Sequence, residues 1–233
     1  MFAIYLDDLI LLLKKLKVGC HVIELFVASI VYADDICLLA PCRSALQTLL
    51  TTCENYGKYW CLSYNPSKSK TMLFGKKTCS KRLTMYGNEL EFVDTYKYLG
   101  VTVVAGASIS FSNFTPLVKF KRSVNSILNV NTRPSEPVLL QLLYTMCVPI
   151  LTYSCEVLTF SSTQMNSLNV ALNDCIRGVF TYNRWESVRF LRMSFGYPSV
   201  TEIFHKRTAH FLQQIPSTQN NVLQFLVSLL AQR

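Results

Sequence analysis

The chain lacks an apolar run long enough to cross a membrane. Half of its 233 residues are hydrophobic, but its longest apolar stretches, residues 9–13 and 26–33, fall well short of the roughly 18–20 residues that a spanning helix needs. A signal-peptide pattern is also missing, because Asp7 and Asp8 occupy the place of its apolar segment. We therefore expect no membrane association, and an intracellular protein of the nucleus or cytoplasm rather than a secreted one.

Paired cysteines are missing as well. None of the nine cysteines forms a Cys-x-x-Cys pair, and most of them lie in apolar or helical stretches. A zinc ribbon or a disulfide framework is therefore not indicated. No serine has a base placed beside it, so hydrolase chemistry has no support either. We expect the cysteines to be reduced and to pack as small hydrophobic side chains.

Negative charge is scarce in the C-terminal part of the chain. The net charge is +9, and residues 1–70 contain seven Lys and Arg against six Asp and Glu, whereas residues 71–233 contain sixteen against eight. An excess of this kind attracts the phosphates of nucleic acids. A basic, solubilising face explains the same excess equally well, so both interpretations stay open.

Two adjacent carboxylates, Asp34 and Asp35, lie between two apolar runs. Residues 26–31 and 36–41 predict two buried strands, and the Asp pair then lies at the tip of a hairpin, where short polar residues tolerate a turn. Two carboxylates at a rigid tip repel each other unless a cation neutralises them. Mg²⁺ prefers oxygen ligands of this kind. A solvated pair of turn residues is the alternative interpretation.

Apolar periodicity predicts strands in the first half of the chain and helices in the second. A helix is expected over residues 2–17, and another from an N-cap at Ser44 to about residue 60. Strands are expected at residues 21–24, 26–33, 36–40, 71–74, 83–86, 90–93 and 98–104. The last four are expected to form a small antiparallel unit. Turns are expected at residues 65–67, before this unit, and at residues 87–88, within it. Helices are expected at residues 114–130, 136–159, 163–180, 185–195, 199–214 and 219–231. The predicted fold class is α+β.

Several motifs in matching order resemble those of one polymerase family. Tyr32-Ala33-Asp34-Asp35, followed by an apolar run, Pro41 and a helix, resembles the active-site motif of reverse transcriptases of non-LTR (LINE-type) retrotransposons. Residues 62–75 and 96–101 resemble the next two palm motifs, the second of which is the primer-grip hairpin. The resemblance implies a partial polymerase palm at residues 1–104 and a helical thumb and C-terminal region at residues 105–233. Residues 142–157 are similar to the helical thumb of the same elements.

The resemblance implies roles at the catalytic centre. Asp34 would bridge the two Mg²⁺ (or Mn²⁺) ions of nucleotidyl transfer, and Asp35 would contribute less directly. Lys68 would neutralise or protonate the leaving pyrophosphate, with Lys70 as the alternative. An exposed turn lysine without a catalytic role is an equal alternative for Lys68. Tyr32 would rest on the last base pair, although packing inside a buried strand is an equal alternative.

The resemblance also implies residues that bind nucleic acid. Tyr98, Leu99 and Gly100 would hold the primer, with Gly100 allowing a close approach of its phosphate. The thumb would contact phosphates without reading sequence. Its candidate residues form two basic groups: Lys119, Lys121 and Arg122, and then Arg184, Arg189, Arg192, Lys206 and Arg207.

In that family a further catalytic Asp and the fingers precede the Asp-Asp hairpin, and this chain offers no candidate at the matching place. Asp7 and Asp8 fit better as partners of a helix dipole. We therefore expect an N-terminally truncated RNA-directed DNA polymerase, inactive alone, whose complete form uses an RNA template, a DNA primer and dNTPs. Two alternatives remain: a non-catalytic nucleic-acid-binding module, and a remnant that completes a palm together with a fingers-containing polypeptide.

Overall fold

The computed structural model describes residues 2–75, 82–112, 116–129 and 134–231. It is a mixed fold in which small sheets precede helices, which confirms the predicted α+β class. The chain divides into two compact units. Unit 1 comprises Met1–Tyr98 and Thr102–Ser110, and unit 2 comprises Leu99–Val101 and Phe111–Arg233.

The first half contains two helices and a series of short strands. Helix α1 spans Phe2–Lys15 and helix α2 spans Arg43–Tyr59. The strands are β1 (His21–Val22), β2 (Leu25–Phe26), β3 (Ser29–Tyr32), β4 (Asp35–Leu38), β5 (Lys70–Thr71), β6 (Thr84–Met85), β7 (Asn88–Glu89), β8 (Glu91–Phe92), β9 (Thr95–Tyr98), β10 (Val101–Val104) and β11 (Ser110–Ser112).

The strands form hairpins and one parallel pair. Strands β1–β2, β3–β4 and β6–β7 pair antiparallel, and the order of the three-stranded sheet is β11-β10-β9. Strand β5 pairs parallel with β8. The expectation of a purely antiparallel unit after residue 70 is therefore wrong, because the β6–β7 hairpin lies in the connection and lets β8 return in the same direction as β5.

Helices α1 and α2 cover one face of the β3–β4 hairpin. Leu9, Leu13 and Leu49 are fully buried there, and Val31 and Ile36 pack against this cluster from the hairpin. The other face is more open, with Ile30 49% and Tyr32 63% exposed, although Cys37, opposite Ile30, is partly buried. The prediction of two buried strands is therefore wrong, because side chains alternate along a strand and only one face is covered.

The apolar face of α2 was largely predictable. Leu49, Leu50, Cys53 and Tyr56 are buried, as the spacing requires. Trp60, however, lies at the C-cap and is 40% exposed. The expected N-cap at Ser44 is wrong: the helix begins at Arg43, and Cys42 is the N-cap residue.

Unit 2 is built from helices around one apolar core. The helices are α3 (Pro116–Leu128), α4 (Glu136–Leu142), α5 (Val148–Leu151), α6 (Ser162–Phe180), α7 (Arg189–Ser194), α8 (Val200–Gln214) and α9 (Asn221–Ala231), with a 3-10 turn at Ile215–Ser217. Residues 114, 115 and 130 of the predicted 114–130 helix lie outside the described residues. The core includes Phe120, Leu151 and Leu172, each fully buried.

A π-helical turn at Leu143–Cys147 joins α4 to α5. The amide of Val148 donates to the carbonyl of Leu143. Pro149 has no amide hydrogen, so the regular bond to the carbonyl of residue 145 is impossible, and a wider turn is favoured. The expected helix over residues 136–159 therefore contains a π-turn and ends at Leu151.

Most described cysteines are covered. Cys53, Cys147 and Cys155 are buried, and all eight cysteines in the described part of the chain are free thiols. Burial raises the pKa of the Cys53 thiol to about 12, which suppresses its reactivity. The prediction of small hydrophobic cysteines is confirmed for these residues, whereas Cys42 and Cys61 are exposed. Across the described residues, no helix combines the length and the apolar character that a lipid bilayer requires.

Candidate functional site

Strands β3 and β4 present the two carboxylates at the tip of a hairpin, as the sequence predicted. Tyr32 pairs with Asp35, so Ala33 and Asp34 form a two-residue turn. Ala33 has φ +52°, in the left-handed region that glycine or asparagine normally occupies in such turns. The strain costs about 1–2 kcal/mol. The packing of α1 and α2 on the hairpin holds this geometry.

Asp34 and Asp35 are both exposed. In the described part of the chain, neither carboxylate accepts a hydrogen bond or forms an ion pair. Two free carboxylates on adjacent residues suit a hard divalent cation, which prefers oxygen ligands. They supply only part of such a shell, since Mg²⁺ takes about six ligands. The described residues contain no cluster of three or more potential metal-ligating side chains.

Tyr32 lies next to the carboxylates on the open face. Its side chain is 63% exposed, which rules out the alternative that it packs inside a buried strand. An exposed tyrosine ring is suited to stacking on a base. The expected contact with a base pair stays a prediction.

Tyr98 lies close to the hairpin at the end of β9. Its hydroxyl is buried and, among the described residues, has no hydrogen-bond partner. Burial raises the pKa of Tyr98, and nearby Cys37 and Asp35 raise it further. The structure therefore brings one predicted primer-binding residue into the electrostatic neighbourhood of Asp35.

The two candidate lysines differ in their interactions. Lys70 donates to Glu91 over 2.7 Å, and this hydrogen bond lowers the pKa of Glu91. Lys68 is exposed, and among the described residues its ammonium has no ion-pair or hydrogen-bond partner. Its backbone amide donates to the side chain of Asn65 over 3.3 Å, which confirms the predicted turn. Of the two lysines, Lys68 keeps a free positive charge.

The turn between β9 and β10 has an unexpected neighbour. Leu99 and Gly100 have φ +46° and +82°, and the hydroxyl of Tyr153 donates to the carbonyl of Leu99 over 2.6 Å. A Cβ on Gly100 would lie 2.8 Å from the Tyr153 ring. The group that approaches Gly100 closely in the structure is thus an aromatic ring of unit 2. Sequence reasoning did not identify Tyr153, because its hydrogen bond joins residues 54 positions apart.

The first basic group is accessible. Lys119, Lys121 and Arg122 are exposed on α3, whereas Phe120 between them is fully buried. The helix therefore directs its apolar residue into the core and leaves the three cations free to meet phosphates. Their role in binding nucleic acid stays a prediction.

The second basic group is partly internal. Arg192 is 9% exposed and contacts Glu202 over 3.4 Å. Arg207 is bound to Glu156 over 2.6 Å. Both arginines are thus in ion pairs within the protein, and the role of the group in binding phosphates stays a prediction. Arg184, Arg189 and Lys206 are exposed.

The segment that contains the β3–β4 hairpin matches a known protein family. Residues 1–103 match the model of the family described as reverse transcriptase (RNA-dependent DNA polymerase). The matched segment includes the Asp pair, Lys68 and the Leu99–Gly100 turn, and the helices of unit 2 lie outside it. A search of curated proteins found no match to the chain.

Proposed function

We propose that residues 1–104 are the later part of the palm of a non-LTR retrotransposon reverse transcriptase, and that residues 105–233 are its thumb and C-terminal region. The observation that carries this proposal is the exposed Asp34–Asp35 pair at a hairpin tip, inside the segment that matches the reverse transcriptase family. The finer assignment to non-LTR elements rests on the motifs at residues 32–41, 62–75 and 96–101.

Asp34 and Asp35 are the residues that would hold divalent cations, Mg²⁺ or Mn²⁺. When bound in such a site, the cations activate a primer 3′-hydroxyl and stabilise the leaving pyrophosphate. The protein's own contribution is positional. The covered face of the hairpin fixes the two carboxylates, the exposed Tyr32 ring offers a stacking surface, and the free ammonium of Lys68 supplies positive charge for a leaving phosphate.

The 233 residues taken alone are proposed to be inactive. The family motif requires a third carboxylate from an earlier palm strand, and the residues before Tyr32 include no match for it. We do not assign this role to Asp7 and Asp8, because they lie in the second turn of helix α1 and not on a strand. The first turn of that helix contains no acidic residue. The expected role of Asp7 and Asp8 as partners of the helix dipole is wrong, since that effect is confined to the first turn.

The test is primer extension on an RNA template with dNTPs and Mn²⁺. We expect no extension by the chain alone, and extension when a polypeptide with fingers and the upstream palm strand is added. Asp34→Ala should abolish the restored activity, whereas Asp7→Ala should leave it unchanged. Extension by the chain alone that Asp34→Ala removes would contradict the proposed inactivity. Restored extension that survives Asp34→Ala would contradict the catalytic assignment.

A non-catalytic nucleic-acid-binding function is the second candidate. The observation that favours it is the basic C-terminal part, with Lys119, Lys121 and Arg122 exposed. Binding of this kind weakens steeply as salt rises. It would be indifferent to Asp34→Ala, which separates it from metal-dependent catalysis.

Completion of a palm with another polypeptide is the third candidate. It is favoured by the open face of the hairpin, where Ile30 and Tyr32 are exposed. Exposed apolar side chains on one sheet face provide a surface for a partner. Co-purification with a fingers-containing fragment, lost in an Ile30→Asp variant, is the expected result.

A further inference from the structure

A small polar cavity lies within unit 2. It is formed by α6, the segment before α7, α7 itself and the start of α8, and it has a volume of about 290 Å³. This volume is just below the range of about 300–1,000 Å³ that is usual for small-molecule sites. The cavity therefore suits a compact group such as a phosphate.

Three guanidinium groups line the cavity, and none of its lining residues is acidic. Arg177 is tied to Asp174 over 2.7 Å. Arg192 has a weaker contact of 3.4 Å with Glu202. Within the described residues, the guanidinium of Arg189 takes part in no hydrogen bond or ion pair. Three positive charges thus face two bordering carboxylates, which leaves the site cationic.

Arg192 is the least exposed of the three arginines. The residue is 9% exposed, and its Nε atom is buried without a hydrogen-bond partner among the described residues. Such an atom loses its hydration without compensation, which is costly. Arg192 also lines the cavity, so its guanidinium adds positive charge to the cavity. Hydroxyl and amide groups of Asn173, Ser187 and Thr201, which also line it, add neutral donors.

Two exposed aromatic residues lie close in sequence to residues that line the cavity. Trp185 is 84% and Phe190 is 77% exposed, and the lining residues Ser187 and Arg189 lie between them in sequence. Exposed rings beside arginines are typical of surfaces that bind single strands, where bases stack on the rings and cations meet phosphates.

We infer that this cavity binds a backbone phosphate of a single-stranded nucleic acid, and that Trp185 and Phe190 stack on the neighbouring bases. The excess of arginine selects an anionic strand, and the aromatic pair selects one with unpaired bases. The site involves only residues of unit 2 and is independent of Asp34. It holds whether or not the chain takes part in catalysis.

The first experiment measures the binding of a fluorescein-labelled oligothymidylate to the full chain by anisotropy. Arg189→Ala should raise the Kd about tenfold, as the loss of one charge-assisted contact predicts. Lys58→Ala removes a positive charge from an exposed position of α2 outside the cavity, and should change the Kd by less than about twofold. Equal effects of the two variants would contradict a specific site.

The second experiment tests stacking through tryptophan fluorescence. The chain has two tryptophans, so a Trp60→Phe variant leaves Trp185 as the only reporter. Saturating oligothymidylate should quench its fluorescence, and Arg189→Ala should shift the quenching to higher strand concentration. Bound strand without quenching would contradict the stacking assignment.

Inorganic phosphate distinguishes a free anion from a strand. Phosphate should compete with the oligothymidylate in the parent chain and lose this effect in Arg189→Ala. The contrary result is that phosphate raises the melting temperature of the parent chain but not of Arg189→Ala, while both chains bind the strand with the same Kd. In that case the cavity holds free phosphate, and the inference of a strand is wrong. Melting curves of all variants without ligand control for folding.

Discussion

The hydroxyl of Tyr153 donates to the carbonyl of Leu99 over 2.6 Å, and a Cβ added to Gly100 would lie only 2.8 Å from the Tyr153 ring. The hydrogen bond fixes the ring, and the missing side chain of Gly100 makes room for it. The turn of the proposed primer grip is therefore held by a residue of the helical region. This contact gives Gly100 a structural role that does not depend on a bound primer.

Gly100→Ala should destabilise unit 2 by about 2–3 kcal/mol, since left-handed strain and a steric clash add. Gly196→Ala is the matched control: Gly196 also has a left-handed φ, +71°, but a Cβ added there would meet nothing within 4 Å among the described residues. It should cost only about 1 kcal/mol. Urea unfolding followed by circular dichroism measures both. Equal losses would show that Tyr153 does not restrict Gly100.

Ile23→Asn should stabilise unit 1 by about 1 kcal/mol. Ile23 is 70% exposed and has φ +56°, a conformation that β-branched residues rarely adopt but asparagine tolerates. Ile30→Asn is the control, because Ile30 is also exposed but lies in strand β3. Ile30→Asn should lower the stability of unit 1, because asparagine is unfavourable in a strand. Thermal unfolding that ranks the two variants in the opposite order would contradict the turn geometry.

Ser199→Ala should destabilise α8 by about 1 kcal/mol. The Ser199 hydroxyl accepts from the amide of Glu202, and the Glu202 carboxylate accepts from the amide of Ser199, which forms a capping box. Ser135→Ala is the control, since Ser135 is the N-cap residue of α4 but makes no side-chain capping bond. Ser135→Ala should therefore decrease the stability only slightly. Differential scanning calorimetry compares the two variants.

The same box should weaken in acid. Hydrogen bonds from the amide and hydroxyl of Ser199 lower the pKa of Glu202. A carboxyl whose pKa is lower in the folded state stabilises above its unfolded pKa, and this contribution disappears as the pH falls through the folded value. The stability difference between the parent chain and Ser199→Ala should therefore shrink at acidic pH. A difference that grows on acidification would contradict this assignment.

Cys42 should be alkylated readily at mildly alkaline pH. The Ser44 hydroxyl lies 3.2 Å from its sulfur, and this hydrogen bond, with backbone amides, lowers the pKa of the thiol. A lower pKa means more thiolate at a given pH, so the rate should rise at lower pH than for an ordinary thiol. Ser44→Ala should slow the reaction. Peptide mapping after iodoacetamide treatment tests this, with buried Cys53 as the unreactive control.

Sequence patterns predicted what depends on neighbours along the chain. The spacing of Leu49, Cys53 and Tyr56 indicated the buried face of α2, and the apolar runs around Asp34 indicated the hairpin. Features that depend on distant partners were not predictable. The contact of Tyr153 with Gly100 and the ion pair of Arg207 with Glu156 exist only because the fold brings these residues together. The predicted strands were longer than the observed ones, because apolar periodicity does not show where the hydrogen bonding between strands ends.

The central claim is that the Asp34–Asp35 hairpin is a divalent-metal site, and thermal unfolding with Mn²⁺ tests it most directly. Binding to the folded chain raises the melting temperature to an extent set by affinity and concentration. The account predicts a rise for the parent chain and for the control Asp7→Asn, and none for Asp34→Asn. An equal rise in all three chains, or no rise in the parent chain, would contradict the claim.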